Sequence, residues 1–293
     1  MNKTTTTKIP KKRSQFGDVV HRFSKNKGAM LGLFIILAFA MLALTADLWM
    51  DYENQVIKAD FSMRLQGPSK EHIFGTDELG RDIFYRVLYG SRYSLSIGVV
   101  AVFISLAIGV PIGAFAGYYG GRVEMIVMRI VDIFGAVPAI LLGLVIVASF
   151  GASTATLMLA VGVSSVPQFA RITRASILTV RNQDFIEAAK AIGESERRII
   201  FTHILPNCLS PIIIQTTLRV ATAIISASSL SFLGMGVPAP APEWGNMLSS
   251  GRDFIRGYSY VTFFPGLAIM IVVLAFNMMG DGLRDALDPK LKN

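Results

Sequence analysis

"NQDFIEAAKAIGESERRIIFTHILPN", Asn182 to Asn207, carries charged residues in two short helical patterns split by one glycine, while long apolar runs lie on either side. Within it Phe185, Ala188, Ala189 and Ile192 recur at i, i+3, i+4 and i+7, the period of an amphipathic helix. Asp184 stands where it would cap that helix, with Glu187 three residues on as an acidic variant of the capping box. Gly193 offers a residue free to take left-handed backbone at the stop. Ser195 is expected to cap a second short helix bearing Ile199, Ile200 and Ile204, which Pro206 is expected to end. Helices this short are marginal alone, so the pair is expected to lean on a larger helical body, on a partner, or on both.

The larger body is legible in the composition. The 293 residues are 52% hydrophobic and 16% charged, with a mean hydropathy of +0.52. Soluble domains carry about 25% charged residues, so this balance favours an integral membrane protein. Runs of about 18 or more apolar residues mark spanning helices, because lipid offers an open backbone no hydrogen-bond partner. Six are expected, at about 29–48, 94–118, 128–150, 153–170, 209–234 and 259–280. The first is too long for a signal-peptide core, as is the basic stretch before it, so an uncleaved helix is expected.

The net charge of +8 points to a membrane surface rather than to nucleic acid, because its placement is topogenic. Residues 1–28 hold eight Lys and Arg against a single acid, Asp18, and such a tail also suits anionic lipid headgroups. With the N-terminus in the cytoplasm, inner segments carry nineteen Lys and Arg and outer segments eight, so both termini and 182–207 are expected inside. The expected organisation is a tail (1–28), a first span (29–48), an outer loop with an interfacial helix (49–92), a five-helix core (93–282) and a second tail (283–293).

In that outer loop Tyr85, Tyr89 and Tyr93 recur every four residues, which suggests a helix lying at the interface. Gly109, Gly113, Gly117 and Gly121 share the same spacing, which suits close helix packing. Pro111 and Pro138 are expected to bend their helices. One cysteine, Cys208, and three scattered histidines leave neither a disulfide framework nor a local metal signature, so no metal site is expected. Arg219 lies inside a span, where a central Arg costs roughly 2.5–3.5 kcal/mol. It is a candidate for the translocation path, the alternative being an ion pair with another helix, for example through Asp132.

The segment "EAAKAIGESERRIIFTHILP" resembles the EAA loop of permease subunits of bacterial ATP-binding-cassette importers. Glu187, Ala188, Ala189, Gly193, Leu205 and Pro206 match that pattern, and His203 stands where it has Ile. "GTDELGRDIFYRVLYGSR" (75–92), "GYYGGRVEMIVMRIVDIFGAVP" (117–138), "LSFLGMGVPAPAPEWGNML" (230–248) and "LAFNMMGDGLRDALDPKL" (274–291) are similar to the dipeptide, oligopeptide and nickel permeases, specifically the second permease of the pair. Many relatives have an acid shortly before "LSFLG", whereas this chain reads "SASS", with Ser226, Ser228 and Ser229 as further path candidates.

The resemblance implies an all-α, six-helix permease of the type I importer fold. It implies a sister permease, two ATPase subunits and an extracytoplasmic binding protein as partners, with peptide as cargo or, alternatively, a nickel chelate or another small solute. The matched loop residues would couple this chain to the ATPases, which use ATP and Mg. The chain itself has no catalytic residue and no cofactor by this reading, and it lacks a G-x-x-x-x-G-K-[ST] loop. From a different class, an ion-coupled secondary transporter would be expected to show more intramembrane acids or repeat symmetry, and a membrane scaffold would transport nothing.

Overall fold

The computed structural model describes residues 15–287, so residues 1–14 and 288–293 of the two expected tails lie outside it. The order is α1 (Gln15–Lys25), α2 (Lys27–Trp49), α3 (Ile83–Tyr119), α4 (Gly121–Ala136), α5 (Ala139–Phe150), α6 (Thr154–Val180) and α7 (Asp184–Ala191). There follow α8 (Glu196–Arg198), a π-helical turn (Ile199–Ile204), α9 (Leu205–Asn207), α10 (Leu209–Leu230), α11 (Trp244–Gly251) and α12 (Tyr260–Leu287). Among the described residues, five helices are long and apolar enough to cross a membrane, or six spans if α4 and α5 count as one broken span.

The α3–α6 pair is the most extensive contact in the bundle. Its backbones approach so closely that a Cβ on Gly109 would fall 2.6 Å from Cβ of Phe169, and one on Gly117 would fall 3.0 Å from Cβ of Ile177. Gly113 likewise sits against the backbone of Ala170. The four-residue glycine spacing is therefore a packing seam, as expected, although Gly121 lies beyond it in open space. Ser105 spans the seam by donating to Gly162 O at 2.7 Å, which satisfies a buried hydroxyl. α10 packs on α3, α6 and α12, and α2 closes the far side against α12 and α3.

One expectation is corrected. The separate interfacial helix is the first part of α3, whose 37 residues run without a break through Pro111. At 1.5 Å per residue it measures about 55 Å, well beyond a hydrocarbon core of about 30 Å, so one end stands clear of the bilayer. Its tyrosines clamp the loop instead of resting on lipid. Tyr89 is buried, lies tilted against the Tyr52 ring with centroids 4.9 Å apart, and donates to Asp47 Oδ1 at 2.7 Å. The expected bend at Pro138 is present and sharp: the span 128–150 is divided between α4 and α5, which meet at 84° because Pro138 stops one and starts the other. The described part of the basic tail forms α1, which packs on α12. Asn26 then caps α2 by accepting from Ala29 N at 3.1 Å.

Replacing Gly109 with Val is expected to destabilise the bundle by about 1–3 kcal/mol through overpacking. Gly257→Ala, which meets open space, is expected to leave stability unchanged. Thermal unfolding in detergent reads both.

Candidate functional site

The segment 182–207 is seated on the common end of α3 and α6. Ile186 and Ala189 of α7 are buried with Ile177, Val180, Ile199, Ile204 and Cys208 in a core distinct from that of the main bundle. Arg181 donates to Gly117 O at 2.8 Å, Tyr119 donates to Glu196 Oε2 at 2.9 Å, and Lys190 Nζ lies 5.9 Å from the centre of the Tyr118 ring. The last turn of α3 thus grips both arms of the segment.

α7 ends as its sequence suggests. Gly193 has φ +78°, its N–H reaches Lys190 O at 3.0 Å, and the N–H of Glu194 reaches Ala189 O at 3.1 Å. These are the two bonds of a Schellman stop. Glu194 then ties the arms together, with Oε2 2.8 Å from His203 Nε2 and Oε1 3.6 Å from Arg198 Nε.

Other local expectations fail in instructive ways. Asp184 is the first helical residue and not the cap; Gln183 holds the cap position without a side-chain hydrogen bond. Ser195 precedes α8 and also makes no capping bond. Pro206 does not end the second helix. A π-helical turn over Ile199–Ile204 precedes it, with Leu205 N bonded to Ile200 O, and the helical run continues through Pro206. The widened turn accommodates a residue that has no N–H to give.

The apolar stripe also divides differently from its pattern. Ala189 is buried, but Phe185, Ala188 and Ile192 face outward, with Ile192 76% exposed, and Glu187 is exposed beside them. Phe201, 70% exposed, adds to the same region. A stripe read as core is largely an uncovered apolar surface.

The path candidates separate into two places. Ser228 and Ser229 border an open hollow of about 410 Å³ with Ile225, Phe232 and Leu248. Ser226 is half-buried and does not line it. Arg219 lies nine residues earlier, about 13 Å along the helix. Its Nε donates at 2.6 Å to the amide oxygen of Gln215, one turn back, once that amide is oriented by its hydrogen bonds. The suggested Asp132 pairing is not formed, because Asp132 takes Arg171 at 3.0 Å.

Sequence reasoning missed the polar core around the connection between α10 and α11. Glu243 is fully buried and caps α11, accepting from Gly245 N at 2.9 Å and Asn246 N at 2.8 Å. Burial pushes its carboxyl above the usual glutamate range, against the pull of those bonds. Trp244 donates to Val87 O at 2.9 Å, and Gly245 sits directly on the backbone of Ser228. Arg86, read as a loop charge, is buried and donates to Val56 O at 3.1 Å and Pro240 O at 3.3 Å. An acid immediately before a short tryptophan-led helix was the available signal for Glu243; nothing local distinguished Arg86.

With this geometry in hand, comparison with known proteins defines the class. Residues 109–293 match the family described as "Binding-protein-dependent transport system inner membrane component", and residues 14–68 match "N-terminal TM domain of oligopeptide transport permease C". The chain belongs to this family of transport permeases and is a multi-pass helical protein of the plasma membrane. Family membership replaces the ion-coupled and scaffold alternatives.

Among its relatives, a dipeptide transport system permease protein of Alkalihalophilus pseudofirmus is 49% identical, covering 96% of this chain and 91% of that one. A di/tripeptide permease of Pseudomonas aeruginosa is 43% identical (92% and 91%), and a glutathione permease of Escherichia coli is 44% identical (100% and 96%). The fold is shared with an inward-facing structure of the MetNI methionine ABC transporter. That match has a TM-score of 0.60 at 20% identity, over 70% of this chain and 98% of that one.

Glu243→Ala is expected to cost about 1–3 kcal/mol, because two buried N–H groups lose their acceptor. Glu243→Gln, which keeps one acceptor oxygen, is expected to recover part of that loss. Detergent unfolding midpoints of the two variants test the ranking.

Proposed function

We propose that this chain is one of two permease subunits of an ATP-driven peptide importer and that 182–207 is its coupling loop. The observation that carries the reading is the exposed face of Phe185, Ala188, Ile192 and Glu187, held rigidly by the buried Ile186 and Ala189 beneath it. An apolar patch on a well-packed support, beside a charge, suits a protein partner. The partners are two ATPase subunits, which use ATP and Mg, a homologous sister permease and an extracytoplasmic binding protein. This chain supplies neither the ATPase site nor a cofactor. Both termini and the loop lie in the cytoplasm, as the distribution of Lys and Arg favours.

In the mechanism, Glu187 is the polar contact on the ATPase, the small Ala188 allows close approach, and Ala189 anchors the helix below. Gly193 fixes the turn, and Leu205 and Pro206 return the chain to α10. ATPase closure moves the loop, and the loop moves the ends of α3 and α6 with it, since Gly117, Tyr118 and Tyr119 grip it directly. Alternation between outward and inward access then requires the two states to hold the loop differently. Cargo of peptide type is supported by the dipeptide, di/tripeptide and glutathione permeases among its relatives.

Glu187→Arg is expected to weaken ATPase association about tenfold or more and to abolish uptake, with the permease itself still folded. Co-purification and peptide uptake in proteoliposomes measure this, and survival of both functions would sink the coupling role. Arg219→Gln is expected to lower uptake several-fold with assembly intact; unchanged uptake removes Arg219 from the path.

A further inference from the structure

α4 is the least covered long helix of the bundle, with Val131 its one buried residue. It leaves α3 through Gly120 alone and ends at the 84° elbow. Met125, Ile126, Ile130 and Ile133 are exposed around it. Its side toward α6, in contrast, is charged. Asp132 Oδ1 accepts from Arg171 NH2 at 3.0 Å and from Arg171 Nε at 3.3 Å. Glu124 Oε1 accepts from Arg174 Nε at 2.5 Å. The two pairs border an open groove of about 410 Å³, floored by Gly121, Met125 and Met128.

Gly135 makes room for this arrangement, since a Cβ there would fall 2.6 Å from Arg171 NH2. Further along the same two helices, Ile130, Phe134, Val163 and Val166 enclose an apolar cavity of about 210 Å³.

Stability does not account for the more exposed pair. The side chains of Arg171 and Asp132 are 47% and 54% exposed, and exposed pairs of this kind contribute about 0–1 kcal/mol, whereas Glu124 beside Arg174 is only 17% exposed. Ionisable residues in a spanning bundle face a partner or a water-filled path, and broken spans are where transporters build polar sites. The groove holds two cations and two anions. A ligand of one sign would leave the opposite pair uncompensated, whereas a zwitterion replaces both partners at once. Its carboxylate takes the paired N–H groups of an arginine, and its ammonium takes a carboxylate. The volume lies within the range of small-ligand pockets, about 300–1,000 Å³.

The geometry points to a groove between α4 and α6 that receives a short zwitterionic peptide in transit. Arg171 and Arg174 face its carboxylate, Asp132 and Glu124 face its ammonium, and the neighbouring apolar cavity accepts a side chain. This assignment rests on the peptide-importer reading above and adds a contact site to the path candidates Arg219 and the serines of α10.

The test uses the complete importer in proteoliposomes, turning over ATP with a dipeptide that carries a diazirine side chain and free termini. Irradiation followed by mass spectrometry is expected to find adducts within residues 121–134 of α4 or 163–174 of α6. In Asp132→Asn/Arg171→Gln, which removes two of the proposed contacts, those adducts are expected to fall about tenfold or more, while the amount of assembled complex stays constant. Uptake with adducts confined to other segments would overturn the groove and leave the importer reading standing. Undiminished adducts and uptake in the double variant would overturn it equally. Absence of ATP-dependent dipeptide uptake by the unaltered complex would instead overturn the importer reading, and the groove with it.

Discussion

Everything in this chain is arranged around how closely α3 and α6 approach. Lipid gives two apolar helices no hydrophobic reason to associate, so contact area and dispersion must hold them together. Gly109, Gly113 and Gly117 remove the side chains that would keep the backbones apart, and Phe169, Ala170 and Ile177 fill the space. That seam fixes the spacing of the ends of α3 and α6, and the polar segment 182–207 is built on those ends. The same seam leaves α4 hanging from α3 by a single residue, which opens the charged groove beside α6.

Much of this is legible in the sequence alone. Apolar run length gives the spans because the backbone in lipid has no other way to satisfy its polar groups. Four-residue glycine spacing gives the seam, and Gly193 gives the stop of α7, since both are local steric statements. What failed needed information from farther away. The charged and aromatic start of α3 looks like a surface helix. It is continuous with the span because Tyr89, Arg86 and Trp244 find partners 30 or more residues distant. The stripe on α7 looks like core by period alone, and periodicity cannot say whether the covering surface belongs to the same chain.

The polar connection between α10 and α12 shows how a membrane protein makes a stiff cap outside its greasy part. Arg86 gathers the carbonyls of Val56 and Pro240, segments that have no other reason to meet. Glu243 satisfies the start of α11 from within. These groups are buried and bonded to backbone, so removing either side chain leaves its backbone partners unmatched in low dielectric. The hollow lined by Ser228 and Ser229 lies under this cap and inherits its rigidity through Gly245.

The sealed end of α7 sets the character of whatever engages it. Its terminal carbonyls at Ala188, Ala189 and Lys190 already accept from the N–H groups of Ile192, Glu194 and Gly193, respectively. A surface that lifts away from this helix strips no hydrogen bond from those carbonyls and leaves none of them seeking a donor. In the coupling-loop reading, the apolar side chains carry contact there alongside Glu187, and Debye screening weakens only the share of the charge. Such a surface behaves as a dry bearing, able to part and close repeatedly without remaking its own backbone.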